Sequence, residues 1–189
     1  MLELADNVRR EVAPRTAQKY KAEFGQFMTP SSVARFMASL FPPSTLQTGR
    51  LLDAGAGVGA LSCAFLDRWK AGGFAFEKVE ATAYEIDDTL RAHLAQHLAG
   101  YSRVKANIIA GDYIELAAAE GLQDRGYTHA ILNPPYKKIN SQSAHRLALR
   151  SVGIETVNLY SAFVALAVAM AAPGGQIVAI IPRSFCNGP

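Results

Sequence analysis

From residue 50 onward the chain alternates short apolar runs with amphipathic stretches, the rhythm of strands joined by helices. The apolar runs predict strands over 50–54, 79–85, 104–110, 128–133 and 176–181, each bounded by Gly, Asp or Pro. Between them, Leu61, Phe65, Leu66 and Trp69 form one helical stripe, and Leu90, Leu94 and Leu98 form a second at four-residue spacing. Both helices are expected to pack on the sheet. A separate helix is predicted ahead of the first strand, with Thr29 as N-cap and Pro30 at the first helical position. Val33, Phe36, Met37 and Leu40 mark its apolar face. The stretch 136–158 is long, polar and poorly periodic, which marks it as a candidate substrate loop.

This order of elements predicts an α/β, doubly wound sheet, with residues 1–44 as an N-terminal helical segment and 45–189 as the core. The last predicted strand ends eight residues before Pro189, whereas a doubly wound sheet normally continues. The expectation is therefore a core truncated before its last strands, with a naturally short five-stranded domain as the alternative.

Composition narrows the function classes only at the margins. With 50% hydrophobic and 19% charged residues, the chain has enough apolar surface for a core and is not a disordered segment. The N-terminal residues lack the apolar stretch of a signal peptide. The longest apolar run, Ala162 to Ala172, is too short to span a bilayer. No membrane association is expected, and the two cysteines, Cys63 and Cys186, form no CxxC pair. A reducing, cytoplasmic location fits both points. A net charge of +3 permits an anionic partner without demanding one.

Candidate chemistry gathers at the predicted strand ends. The segment Asp53-Ala54-Gly55-Ala56-Gly57-Val58-Gly59 runs from a strand into a glycine loop and then a helix, a geometry that lets backbone approach a ligand closely. Asp53 would repel a pyrophosphate but suits a ligand bearing an ammonium group, such as S-adenosylmethionine. Glu85 ends the second strand, where a carboxylate can accept both hydroxyls of a ribose. Asp112 ends the third and is either an acceptor for an adenine amino group or a helix N-cap. Ile86 and Tyr113, beside these acids, belong to the same candidate cofactor site.

Asn133-Pro134-Pro135-Tyr136 follows the fourth strand. Two prolines hold the backbone extended and remove two N–H donors, leaving carbonyls as acceptors beside the Asn133 amide oxygen. An amine bound there donates its hydrogens and frees its lone pair, while Tyr136 can stack on a planar base. The same four residues also read as a rigid turn with a core tyrosine.

The order Phe24-Gly-Gln-Phe-Met-Thr29-Pro30, then Asp53-Ala-Gly-Ala-Gly57, then Asn133-Pro-Pro-Tyr136 resembles the DNA methyltransferases that modify adenine at N6. The arrangement is that of the gamma class common in restriction–modification systems. The resemblance covers about residues 20 to 185 and extends to Gly174-Gly-Gln-Ile-Val-Ala-Ile-Ile-Pro-Arg-Ser-Phe185. It implies a Rossmann-like S-adenosylmethionine-dependent fold, with Thr29-Pro30 at the methionine end of the cofactor. It further implies DNA as partner, with the target base flipped out of the duplex and Asn133 to Tyr136 at the amine. The family's later strands and target-recognition region are not matched, so a missing C-terminal region or a partner subunit is expected.

Lys137, Lys138, His145, Arg146 and Arg150 follow the last motif and are candidates to meet phosphates. A solvated loop is the other reading. His93 and His97 have the spacing of a metal pair, but they lack the glutamate of HExxH and a third ligand, and they read as surface residues. Two rival functions remain: methyl transfer to a protein glutamine amide or an RNA base, and a non-catalytic cofactor-binding module. The Phe-Met-Thr-Pro segment favours DNA over the first, and Asn133 with Tyr136 argues against the second.

Overall fold

The computed structural model describes residues 1–23, 28–122 and 126–186. Phe24 to Phe27 of the Phe-Met-Thr-Pro segment, and Asn187 to Pro189, lie outside the described residues. Five strands form one sheet in the order β3-β2-β1-β4-β5: β1 (Thr48–Ala54), β2 (Lys78–Glu85), β3 (Val104–Ala110), β4 (Tyr127–Leu132) and β5 (Ala171–Ala179). Every pairing is parallel, so each connection must cross a face of the sheet, and helices make those crossings. The first three strands run outward from β1, and β4 then pairs on its other side. The crevice at such a reversal, outside the carboxyl ends of the strands, is where open α/β sheets bind ligands.

Both faces are covered, and the pleat divides the side chains between them. Leu51, Val79, Ala81, Ala83 and Ile131 face a core with α1 (Leu2–Glu23), α2 (Ser31–Ser39), α3 (Ala60–Arg68) and α4 (Asp88–Ala99). Leu52, Ala54, Tyr84, Ala130 and Leu132 face a second core with α5 (Tyr113–Ala119), α6 (Ala144–Ser151) and α7 (Leu159–Ala169). The expected α/β doubly wound sheet is thus the fold, and both predicted leucine stripes are buried. Phe65 centres the first core. Its ring lies 4.8 Å from Phe74, 5.4 Å from Phe41 and 5.2 Å from His129.

Several details differ from the sequence reading. Asn133 lies just outside β4, and β5 begins early because Ala171 pairs with Tyr127 before a register shift leads to the Gln176–His129 pairing. Thr29 is not the N-cap of α2. Pro30 holds that position in extended geometry, and the carboxylate of Asp6, on α1, accepts from Ser31 N at 3.1 Å. Helix α2 turns Ala34, Met37 and Ala38 inward, leaving Phe36 62% exposed with Val33 and Leu40 also outward. Small residues at Ala34 and Ala38 let the helix lie close to its neighbour, which a face of Val33, Phe36 and Leu40 does not. The stretch 136–158 contains α6, capped by Ser143, whose Oγ accepts from Arg146 N at 3.3 Å. Leu149 is its one large fully buried apolar side chain, too sparse a signal to mark a helix.

Among the described residues no helix is long and apolar enough to cross a membrane. Phe65→Ala should cost about 3–5 kcal/mol, the range for emptying a buried aromatic site, and urea denaturation monitored by circular dichroism measures it.

Candidate functional site

The glycine loop leaves β1 at the centre of the sheet edge. Gly55 N and Ala56 N both donate to the Tyr84 carbonyl at 2.9 Å, and Gly57 N donates to Glu85 Oε2 at 2.7 Å. Gly59 has φ 85°, a conformation that favours glycine, and a Cβ there would have to displace the Leu94 side-chain end, 2.7 Å away. Behind the loop, Asp53 Oδ2 accepts from Ser62 N at 3.0 Å and Ser62 Oγ at 2.7 Å, tying the strand end to the first turn of α3. His97 Nδ1 donates to the Val58 carbonyl at 2.7 Å, since a carbonyl can only accept.

These contacts revise two readings. Asp53 is fully buried, so in this conformation its carboxylate anchors the loop and presents no surface to a ligand's ammonium group. Burial raises its pKa to about 7 against the bonds from Ser62. His97 is not a surface residue: it is wholly enclosed. The signal was available, because Leu94 and Leu98 flank it on the same helical face. Among the described residues, no three His, Cys, Asp or Glu side chains gather as a metal site would need.

A pocket opens beside the loop, lined by Gly55, Glu85, Ile86, Asp112, Tyr113 and Pro135 among others. Glu85 is buried, and burial raises its pKa despite bonds to Oε1 from Asp87 N at 2.9 Å and to Oε2 from Gly57 N. Its oxygens retain acceptor capacity for a hydroxyl pair. Tyr113 packs between Tyr84 and Phe163, with centroids 4.9 Å from each, and closes the apolar side. Asp112 is the N-cap of α5, its Oδ1 accepting from Glu115 N at 3.0 Å. Its Oδ2 meets His145 Nε2 at 3.0 Å. Burial works to raise the Asp112 pKa, but the His145 and backbone bonds outweigh it and lower it. The same bond raises the His145 pKa.

The third component is Asn133-Pro134-Pro135-Tyr136. Asn133 Nδ2 donates to Thr29 Oγ1 at 3.0 Å across 104 residues of chain. Its Oδ1 lies 3.3 Å from the Tyr136 hydroxyl, which is equally far from the Ile180 carbonyl. Thr29 is thus brought to the motif instead of capping α2. The Tyr136 ring is partly exposed and stands 6.5 Å from Tyr160, which in turn stands 6.4 Å from Phe185. Tyr160 was not anticipated; one tyrosine at the start of a uniformly apolar helix gives no periodic signal.

The candidate phosphate contacts separate into two groups. Lys137 and Lys138 are exposed directly after Tyr136. Arg146 is buried, donating to the Thr156 carbonyl and paired with Glu155, so it is not available to a phosphate. Its position in the first turn of α6 is the physical reason: the chain returning after the helix brings the Thr156 carbonyl and Glu155 against the guanidinium. Arg150 is exposed, with Nε 3.1 Å from Glu155 Oε2.

No family model matches the chain. It is 49% identical over 200 residues to the Type II methyltransferase M.BsuBI of Bacillus subtilis, covering 100% of this chain and 39% of that protein. It is 39% identical over 198 residues to the Type II methyltransferase M.PstI of Providencia stuartii, covering 98% and 38%. The chain therefore spans about two fifths of the length of these curated relatives. Among solved structures, a Listeria monocytogenes protein described as a class I S-adenosylmethionine-dependent methyltransferase superposes with a TM-score of 0.70. That match has 18% identity and covers 98% of this chain and 55% of the other, which shows a shared fold.

The buried Asp53 generates a pH prediction. Its folded pKa of about 7 exceeds the ordinary 3.8, so its contribution to stability is fully present below pH 3.8 and is lost as pH rises through about 7. Asp53→Asn cannot titrate, and in urea melts it should lose less stability than the native chain across that window.

Proposed function

We propose that this chain carries the cofactor-binding and amine-binding parts of a restriction–modification DNA methyltransferase, transferring the methyl group of S-adenosylmethionine to N6 of adenine. The observation that carries the reading is that the glycine loop and the Asn133-Pro-Pro-Tyr136 turn leave the adjacent parallel strands β1 and β4 at the same sheet edge, where Asn133 is bonded to Thr29. The Type II methyltransferases M.BsuBI and M.PstI support the activity class, and the likeness to the Listeria monocytogenes structure supports the cofactor.

The residues fit that cofactor. Asp53 anchors the start of α3 behind the glycine loop, and Glu85 lines the pocket beside it with acceptor capacity to spare. Glu85 is the acceptor for ribose hydroxyls, Ile86 and Tyr113 flank the purine, and Asp112 accepts from its amino group. Gly55 and Gly57 allow close approach of the chain, and Thr29 and Pro30 stand at the methionine end. When bound, the cofactor supplies an electrophilic methyl group on a sulfonium.

At the acceptor, Asn133 Oδ1 and the carbonyls of the proline pair receive the hydrogens of the adenine amine, so its lone pair turns toward the methyl carbon. Tyr136 stacks on the base, which must leave the duplex at a cost of a few kcal/mol. The nitrogen lone pair forms the new N–C bond as the C–S bond breaks with its electrons passing to sulfur, and the extra proton then leaves the amine for solvent. Positioning and acceptors suffice, so no covalent protein nucleophile is required. Lys137 and Lys138 are the candidate phosphate contacts beside this site; Arg150 is exposed but engaged with Glu155.

Two measurements test the reading. Calorimetry on this chain should detect S-adenosylmethionine, and Glu85→Ala should weaken binding by about 1–3 kcal/mol; unchanged affinity removes Glu85 from the site. In the full-length protein, Asn133→Ala should lower methyl transfer to adenine-containing duplex by roughly 10²-fold or more. Cofactor affinity should stay within a few fold, and normal turnover makes the turn structural.

A further inference from the structure

His145 comes from α6, in the segment that follows the Asn-Pro-Pro-Tyr turn, and it lines the same pocket as Glu85, Ile86 and Asp112. Its Nε2 is 3.0 Å from Asp112 Oδ2 and 4.0 Å from Glu115 Oε1. These are the two acids facing it from the α5 side, while the cations of its own helix, Arg146 and Arg150, are committed to Glu155. Asp112 is therefore held at both oxygens, by Glu115 N on one and His145 on the other. A carboxylate has about four acceptor positions, and the bonds from His145 and from the backbone of α5 leave capacity for a further donor. With both oxygens tethered the group cannot rotate to present them elsewhere.

We propose that His145 is a positioning residue for the purine end of the cofactor: by fixing Asp112 it makes the pocket select a 6-amino over a 6-oxo purine. This rests on the cofactor reading above. A 6-amino group donates to the fixed carboxylate. A 6-oxo group presents a second acceptor and leaves two oxygens facing each other without a proton. A site built to receive a hydrogen bond rejects an analogue that lacks the donor far better than an apolar pocket does. A carboxylate free to turn toward water discriminates less, because it can solvate itself when the wrong purine is bound. The backbone N–H groups of α5 hold the carboxylate from that side alone, so its orientation toward the pocket, and with it the selection, depends on His145.

The test uses S-adenosylhomocysteine and S-inosylhomocysteine, titrated by calorimetry into this chain and its His145→Ala and His145→Gln variants. The native chain should prefer the adenosyl ligand. His145→Ala should lose roughly tenfold in affinity for it, with little change for the inosyl ligand, so that the preference contracts by the same factor. His145→Gln, whose amide can still donate to Asp112, should recover most of the preference. Equal weakening of both ligands in His145→Ala, an unchanged preference in that variant, or no recovery in His145→Gln overturns the assignment while leaving the cofactor reading in place. If the native chain binds neither ligand, both fall.

Discussion

Two carboxylates buried at the carboxyl ends of neighbouring strands impose the tightest constraint on this molecule. A buried carboxyl group is costly without donors. Glu85 finds them in the glycine loop and the start of α4, while Asp53 finds them at one oxygen only, from α3, and its pKa rises accordingly. Ser62 supplies its backbone N–H and hydroxyl to Asp53, and Gly57 and Asp87 supply backbone N–H groups to Glu85. Each acid thereby sets a different piece of backbone: the start of α3, the glycine loop and the approach to α4. The loop has little freedom left, and His97 and the Tyr84 carbonyl remove more of it. A surface meant to approach a ligand within van der Waals distance is in this way fixed before the ligand arrives.

The second constraint is long in sequence and short in space. Asp6, buried on α1 and paired with Arg9 and Arg10, caps α2 from another helix and relieves Thr29 of that role. The Thr29 hydroxyl then accepts from Asn133. The amide of Asn133 is thus oriented from one side by the segment that precedes the sheet and from the other by the Tyr136 hydroxyl. Held from both sides, the amide stays in place beside the turn.

Charge follows the same logic on the other face. Glu155 gathers Arg146 and Arg150, and Asp112 gathers His145. Of the five basic residues clustered after Asn133-Pro-Pro-Tyr136, Lys137 and Lys138 stand exposed next to Tyr136, while the histidine and arginines order the segment around α6. The arginines and the histidine are thus held by acids that the fold delivers to them, Glu155 and Asp112.

By itself the sequence determined the architecture and the strand ends at which the candidate residues gather. Strands read from apolar runs coincide with those of the sheet to within a few residues, except for the early start of β5. The glycine loop, Glu85, Asp112 and Asn133 fall at strand ends, as their neighbours in the chain imply. These features are local: an apolar run or a Gly-rich turn carries its own conformational preference. Which side chain meets which partner was decided only in three dimensions. Thr29 read as a cap because nothing near it in sequence competes for Ser31 N, and the competitor, Asp6, lies 25 residues away. Arg146 read as a phosphate ligand because Glu155 and the Thr156 carbonyl reach it only once α6 has formed and the chain has turned back. Asp53 read as a ligand contact because its burial depends on Ser62 in α3 and on the loop folding over it. A hydrogen bond between distant residues leaves no periodic trace, since its geometry belongs to the packing of whole elements.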